Sequence, residues 1–279
     1  MRVVNRVDIE ELGDPRVAGY RALQTADLRG SERFVVEGRL NVQQLIASPF
    51  SVESVFVTPA AHEALQPSLA KLPAETPVYV ASKAVLSGVV GFVMHRGCVA
   101  LAQRGDPVAA DTLRSAREGR GLVLVLEDLT DQENVGGCFR NAMAFGVDGV
   151  LLSPRCCDPL LRKATRVSMG GTLRIPFARV DDWPKGLSQL ADAGFARVAL
   201  HPRSGSAELE TLAASLGDAP VALVVGSEGP GMSDALLQQV DHHVHIRMAA
   251  GVDSLNVATA AAIALHAFAA QRLAEPSLR

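Results

Sequence analysis

The sequence predicts an α/β protein whose C-terminal half carries a largely parallel sheet, preceded by a smaller α/β domain. Three observations predict it. Residues 122–126, L-V-L-V-L, form an unbroken apolar run, as expected of a strand buried on both faces. Further short apolar segments at 150–152, 197–200, 221–225 and 244–246 alternate with helix-like patterns at about 136–145, 158–167, 184–193, 233–240 and 255–271. Finally, three glycine-punctuated segments place polar side chains beside flexible backbone: N-V-G-G-C-F-R-N-A at 134–142, G-S-E-G-P-G at 226–231, and I-R-M-A-A-G-V-D-S-L-N at 246–256. In open α/β sheets, ligands bind where loops leave the carboxyl ends of the strands.

The N-terminal elements follow in order. Asp14-Pro15 opens a helix through Leu23, with proline at an early helical position. Residues 34–37 read as a strand and 38–47 as a helix stopped by Ser48-Pro49. Residues 52–57 alternate as a strand, Thr58-Pro59 starts a helix, 78–80 is a short strand, and Ser82 caps the next helix. The polar stretch 103–121, with Gly105, Pro107, Gly119 and Gly121, separates short apolar runs from longer ones. The expected division is a small domain at 1–104, a linker at 105–120 and the larger domain at 121–279.

Composition excludes several classes. With 279 residues and 48% hydrophobic content the chain can build a substantial core, and with only 4% aromatics that core is aliphatic. A net charge of −3 gives no global nucleic-acid signature, so any basic surface is local. The four cysteines, Cys98, Cys138, Cys156 and Cys157, form neither a disulfide framework nor a metal-spaced cluster. Free thiols fit a reducing compartment. The first 14 residues carry acids where a signal peptide needs an apolar core, and the run at 255–270 is too short for a membrane span. The expectation is a cytoplasmic protein without metal or membrane.

Within the first glycine segment Asn134 is expected at the turn, with Arg140 one to two turns into the helix, facing a cleft or solvent. The second lacks GxxxxGK[ST] and the spacing of GxGxxG, so neither a P-loop nor a dinucleotide fingerprint is present. Glu228 there would repel a pyrophosphate and suits a ligand with positive character; an ordinary strand–helix turn capped by Ser233 is the alternative. Asp253 or Ser254 reads as the cap of the last helix, with Asn256 just inside it, a mediocre helix former there.

In this order and spacing the three segments resemble the three motifs of the SpoU-type (TrmH-like) RNA 2′-O-ribose methyltransferases of the SPOUT superfamily. N-x-G-x-x-x-R-x-A is matched by Asn134, Gly136, Arg140 and Ala142. The GSEG-type turn ending in G-[ML]-S is matched at 226–233, and S-L-N-V by Ser254, Leu255, Asn256 and Val257. The likeness covers 121–272. A weaker one at 15–104, best at R-F-V-V-E-G-R-L-N-V-Q-Q-L-I, is to the family's small RNA-substrate-binding domain, similar to certain ribosomal proteins. The third motif departs from the pattern: Arg247 stands where many members have proline, and Ala250 where glycine is frequent. Arg247 is expected to alter the cofactor loop or to add a phosphate contact.

The resemblance implies a trefoil knot in the C-terminal half and S-adenosylmethionine (AdoMet) held in its loops. Carried over by position, Leu200, Val225, Gly226, Glu228, Gly231, Ile246, Met248, Ser254 and Leu255 would hold the cofactor. Arg140, Asn134, Glu228, Ser254 and Asn256 would form the catalytic set. A guanidinium pKa above about 12 argues for Arg140 as a fork on RNA phosphate and developing alkoxide, with phosphate-assisted base action as the alternative. RNA contacts are expected from Arg140, from the basic stretch Arg155, Arg162, Lys163, Arg166, Arg174 and Arg179, and from Arg33 and Arg39. His201 reads as an incidental surface residue ahead of an adenine neighbour. The implied activity is AdoMet-dependent RNA 2′-O-ribose methylation by a homodimer, on ribosomal RNA ahead of transfer RNA. A non-catalytic RNA-binding or ribosome-assembly protein of the same fold is the alternative of a different class.

Overall fold

The computed structural model of the chain describes residues 5–21, 32–105, 121–202, 205–227, 229, 231–252 and 254–270. It divides into two compact units: Met1–Asp106 with Asp158–Arg174, and Pro107–Cys157 with Ile175–Arg279. The expected linker lies outside the described residues apart from Gly105.

The first unit is built on five strands, β1 (Asn5–Asp8), β2 (Arg33–Glu37), β3 (Ser51–Val57), β4 (Pro77–Val80) and β5 (Cys98–Gln103). Their order is β1-β4-β3-β5-β2, parallel across β1, β4 and β3 and antiparallel at β5. Its first four helices are α1 (Ala18–Arg21), α2 (Arg39–Ile46), α3 (Pro59–Leu69) and α4 (Lys83–Val90). Thr58 caps α3 through the Ala61 amide and Ser82 caps α4 through that of Val85, as their residue types dictate. Gly91, at φ +76°, ends α4 in the left-handed conformation. Val17, Tyr20, Val35, Phe56, Leu86 and Val99 share one core, where the Tyr20 hydroxyl meets that of Ser54 at 2.7 Å. Asp14 caps a short 3-10 turn, Pro15–Val17, ahead of α1; residues 22 and 23, where that helix was expected to end, lie outside the described residues.

The second unit opens with β6 (Leu122–Glu127), α5 (Gln132–Ala144) and β7 (Gly149–Leu152). The segment between the two parts of this unit, with α6 (Arg162–Val167) and α7 (Gly171–Arg174), belongs to the first unit, not to the larger domain where its sequence position put it. The physical reason is local. Arg162 pairs with Glu37 at 3.0 Å and lies 4.2 Å over the Phe92 ring, Arg104 pairs with Asp158 at 2.6 Å, and Gly170, at φ +94°, leaves no room for a Cβ beside Gln44. The second unit continues with β8 (Phe177–Arg179), α8 (Ser188–Asp192), β9 (Ala196–Leu200), β10 (Ala207–Glu208), α9 (Leu209–Leu216), β11 (Val221–Gly226), α10 (Asp234–Leu237), β12 (His242–His245) and α11 (Val257–Ala269).

These seven strands form one sheet in the order β10-β12-β9-β11-β6-β7-β8, parallel at every pairing. The period of two along a strand sorts their side chains. Leu122, Leu124, Leu126, Val221, Leu223 and Val225 enter the core shared with α5 and α11, while Val123, Val125, Ala222 and Val224 enter the opposite one with Leu187, Leu190 and Leu236. Both faces are thereby covered, which is why these strands read as continuous apolar runs.

Burial governs the thiols. It pushes the Cys98 and Cys156 thiols up, and that of Cys138 up to about 12. Only Cys157 is partly exposed. Titration of the native protein with a chromogenic disulfide near neutral pH should therefore modify Cys157 promptly, with the other three reacting only on unfolding. Prompt modification of two or more thiols would contradict this packing.

Candidate functional site

Because the sheet of the second unit is parallel, the carboxyl ends of β9, β11 and β12 lie at one edge. The chain that leaves them lines a cavity of about 530 Å³. Leu200, His201 and Pro202 come from β9 and its exit; Val225, Gly226, Ser227, Gly229, Gly231 and Met232 from β11; His245, Ile246 and Met248 from β12. Ser254, Leu255, Asn256, Val257 and Ala260 complete it from the start of α11. All the residues expected around a cofactor fall in this lining except Glu228, which lies outside the described residues, as does Asp253.

The glycine-rich wall is a closed hairpin. Ser227 bridges Gly231, whose amide donates to the Ser227 carbonyl at 3.1 Å. A Cβ on Gly226 would lie 2.5 Å from Met232 Cγ and 2.8 Å from the Gly231 carbonyl carbon, so only glycine fits there. The far end of the hairpin is fixed by Glu127, the last residue of β6 and only 2% exposed. Its carboxylate accepts from the Ser233 amide at 2.8 Å, the Ser233 hydroxyl at 2.7 Å and the Trp183 indole at 2.8 Å. Ser233 caps α10, as expected.

The first and third motifs meet directly. Asp131 caps α5 through the amides of Glu133 and Asn134, so Asn134 sits in the first helical turn and not in the preceding loop. Asn256, not Asp253 or Ser254, caps α11, accepting from the Ala258 and Thr259 amides. That role explains a poor helix former at this position. Its side-chain amide also donates to Asn134 Oδ1 at 2.8 Å. Two turns further along α5, Asn141 donates to the Ala258 carbonyl at 2.7 Å, and a Cβ on Gly137 would approach that of Ala258 to 2.8 Å. Asn256→Ala should lower stability by roughly 1–2 kcal/mol through the lost cap and the Asn134 bond, read from urea denaturation. A change under a few tenths of a kcal/mol would mean that water replaces both.

Arg140 stands exposed on α5, outside the cavity lining and without an ion pair among the described residues. The basic stretch does not form one surface of one unit: Arg155 and Arg179 belong to the second, and Arg162, Lys163, Arg166 and Arg174 to the first. Several of these cations are engaged. Arg155 pairs with Asp128, Arg162 with Glu37, and Arg179 donates to the carbonyls of Ser153 and Pro154. Arg33 pairs with Glu53 at 3.0 Å, while Arg39 and Arg166 are exposed. Arg247 pairs with Glu208, whose carboxyl the guanidinium holds below its ordinary range, so its charge is taken up at the sheet edge. Sequence reasoning missed Glu127, although an acid closing an apolar run marks a buried carboxylate in need of donors. It also set His201 aside as a surface residue; half-buried, it lines the cavity.

Among the described residues no cluster of three or more metal-ligating side chains occurs, and no helix is long and apolar enough to cross a membrane.

Fold and site together define an open parallel-sheet α/β protein with a small-molecule cavity at the carboxyl edge of its strands. Residues 121–266, more than half of the chain, match the SpoU rRNA Methylase family. An uncharacterized tRNA/rRNA methyltransferase of Mycobacterium tuberculosis is 40% identical over 93% of this chain and 90% of its own length. A Staphylococcus haemolyticus protein assigned to the TrmH family of tRNA/rRNA methyltransferases is 28% identical over 84% of this chain and 94% of its own. A crystal structure of an AdoMet-bound rRNA methyltransferase from Sinorhizobium meliloti superimposes with a TM-score of 0.81 at 25% identity, covering 97% of this chain and 100% of that one. The chain belongs to the SpoU rRNA Methylase family of RNA methyltransferases.

Proposed function

We propose that the protein transfers a methyl group from AdoMet to a ribose 2′-hydroxyl of RNA, ribosomal RNA ahead of transfer RNA, as a cytoplasmic homodimer. The observation that carries this is the 2.8 Å bond from Asn256 to Asn134, which joins the cavity wall to the helix bearing Arg140. The cavity suits AdoMet. Its volume of about 530 Å³ lies in the range of small-molecule sites, and its apolar side chains alternate with backbone at Gly226, Gly229 and Gly231. We assign AdoMet contacts to Leu200, Val225, Gly226, Gly231, Ile246, Met248, Ser254 and Leu255, with Glu228 organising the loop. We assign no metal.

When bound, AdoMet supplies an electrophilic methyl group on a sulfonium. An alcohol oxygen is a weak nucleophile, so its proton must pass to water or to an RNA phosphate oxygen as the O–CH3 bond forms and the S–CH3 bond breaks, its electron pair staying on the sulfur. Arg140 acts as a guanidinium fork on the RNA phosphate and steadies the developing alkoxide. Asn134, Ser254 and Asn256 orient the ribose and Arg140. Arg39 and Arg166 offer exposed charge to phosphates; Arg33, Arg155 and Arg162 exchange their carboxylate partners for RNA, and Lys163 adds to the field. Exposed Val252, Leu255 and Ile263 support a subunit interface beside the cavity. We assign the C-terminal passage into α11 as the knotted segment of the family.

The test uses methyl-labelled AdoMet with ribosomal or transfer RNA, followed by alkaline hydrolysis. A 2′-O-methyl ribose blocks cleavage of the adjoining linkage, so label in alkali-resistant dinucleotides of ribosomal RNA is expected. Label confined to transfer RNA moves the substrate, label on bases overturns the 2′-O assignment, and AdoMet binding without transfer to any RNA favours a non-catalytic RNA-binding or ribosome-assembly role.

A further inference from the structure

We infer that Glu127, which does not line the cavity, is a positioning residue that sets its glycine-rich wall and thereby the affinity for AdoMet; this rests on the cavity's being the AdoMet site. Glu127 ends β6 directly opposite Gly226 in the strand ladder. It is buried and makes no ion pair among the described residues; Arg155 acts on it only through its charge, and three hydrogen-bond donors satisfy its carboxylate. Two of the three come from Ser233, two residues beyond Gly231. The Ser233 hydroxyl donates to Glu127 while accepting from the Leu236 amide, so both its bonds are set.

Only Met232 separates Ser233 from Gly231. Met232 lines the cavity and packs where a Gly226 side chain would be, and Gly231 is tied back to Ser227. A displacement at Ser233 is therefore delivered to Met232 and Gly231, both in the wall. The chemistry also fixes the residue type. A carboxylate is an acceptor at both oxygens, whereas an amide presents a donor at one of them. In Glu127→Gln at least one buried donor faces another donor or goes unpaired.

The third donor makes the effect readable. Trp183 is the only tryptophan of the chain, and its indole N–H is bound to Glu127. Calorimetric AdoMet binding, saturation kinetics on RNA, thermal unfolding and Trp183 emission should be measured on the full chain for wild type, Glu127→Gln, Ser233→Ala and the double variant. AdoMet Kd should rise about tenfold in Glu127→Gln, the counterpart of one buried hydrogen bond, with kcat at saturating AdoMet within about threefold of wild type. Ser233→Ala should weaken AdoMet binding less, and the double variant should be no weaker than Glu127→Gln alone, because both act through one contact. AdoMet should perturb Trp183 emission in wild type and less in Glu127→Gln. A folded Glu127→Gln with wild-type Kd and a lowered Tm overturns the proposal, as does an unchanged Kd in Ser233→Ala should Glu127→Gln fail to fold. Absence of AdoMet binding by wild type overturns the cavity assignment itself, and this proposal with it.

Discussion

Arg140→Lys should reduce methyl transfer to RNA by about 100- to 1,000-fold, the loss typical of removing one donor that steadies developing negative charge, while AdoMet affinity stays within about twofold. Both halves follow from geometry. Arg140 is outside the cavity lining, so donor binding does not depend on it. It is exposed and unpaired among the described residues, so its five N–H donors are available to RNA. Lysine keeps the charge but replaces the planar fork with a point donor, which cannot engage phosphate and alkoxide together. Single-turnover rates with saturating AdoMet separate chemistry from binding. Near wild-type turnover in Arg140→Lys would show that charge alone suffices and that the fork has no positioning role.

Gly226→Val is expected to have the second large effect, through the donor rather than the acceptor. Even a single Cβ would lie 2.5 Å from Met232 Cγ and 2.8 Å from both the Met232 amide nitrogen and the Gly231 carbonyl carbon. Two of those atoms are backbone, so relief requires moving the hairpin and not merely a side chain. Overpacking of this kind costs about 1–3 kcal/mol, and expressed in the cavity wall it should weaken AdoMet binding by roughly 10- to 100-fold or more. Calorimetry reads the binding, and circular dichroism shows whether the sheet persists. Wild-type affinity in a folded Gly226→Val would mean that the hairpin is not a wall of the donor site.

What was legible in the sequence was what short-range chemistry controls. The apolar runs at β6 and β11 are continuous because both faces of a parallel sheet are covered, and Thr58, Ser82 and Ser233 are caps because their side chains accept amide hydrogens. Strands β1, β5, β8 and β10 and helices α7 and α9 were not read. Strand β5 contains two alanines, which favour helix, and α9 follows Glu208, which makes no side-chain cap, so neither announces itself. Caps also misled: Asp131 starts α5 four residues before the expected boundary, and Asn256 displaces its neighbours as the cap of α11. The candidate site was legible as residue types at strand ends and illegible as contacts. Asn134 and Asn256 are 122 positions apart and Glu127 and Ser233 are 106 apart, and no local pattern encodes such pairings. The destination of 158–174 depends on partners such as Glu37, Phe92 and Gln44, which its own sequence does not reveal.

The contact of Gly137 with Ala258 limits how the donor specificity of this scaffold can be redesigned. At that crossing even a single Cβ on Gly137 would press on the Ala258 side chain, so enlarging either residue would lever the Asn256 cap of α11 away from Asn134 on the helix that carries Arg140. Under the proposed reaction, donor analogues with bulkier transferable groups must be accommodated elsewhere. Trimming side chains at Leu200 or Met248 would enlarge the chamber without disturbing that crossing.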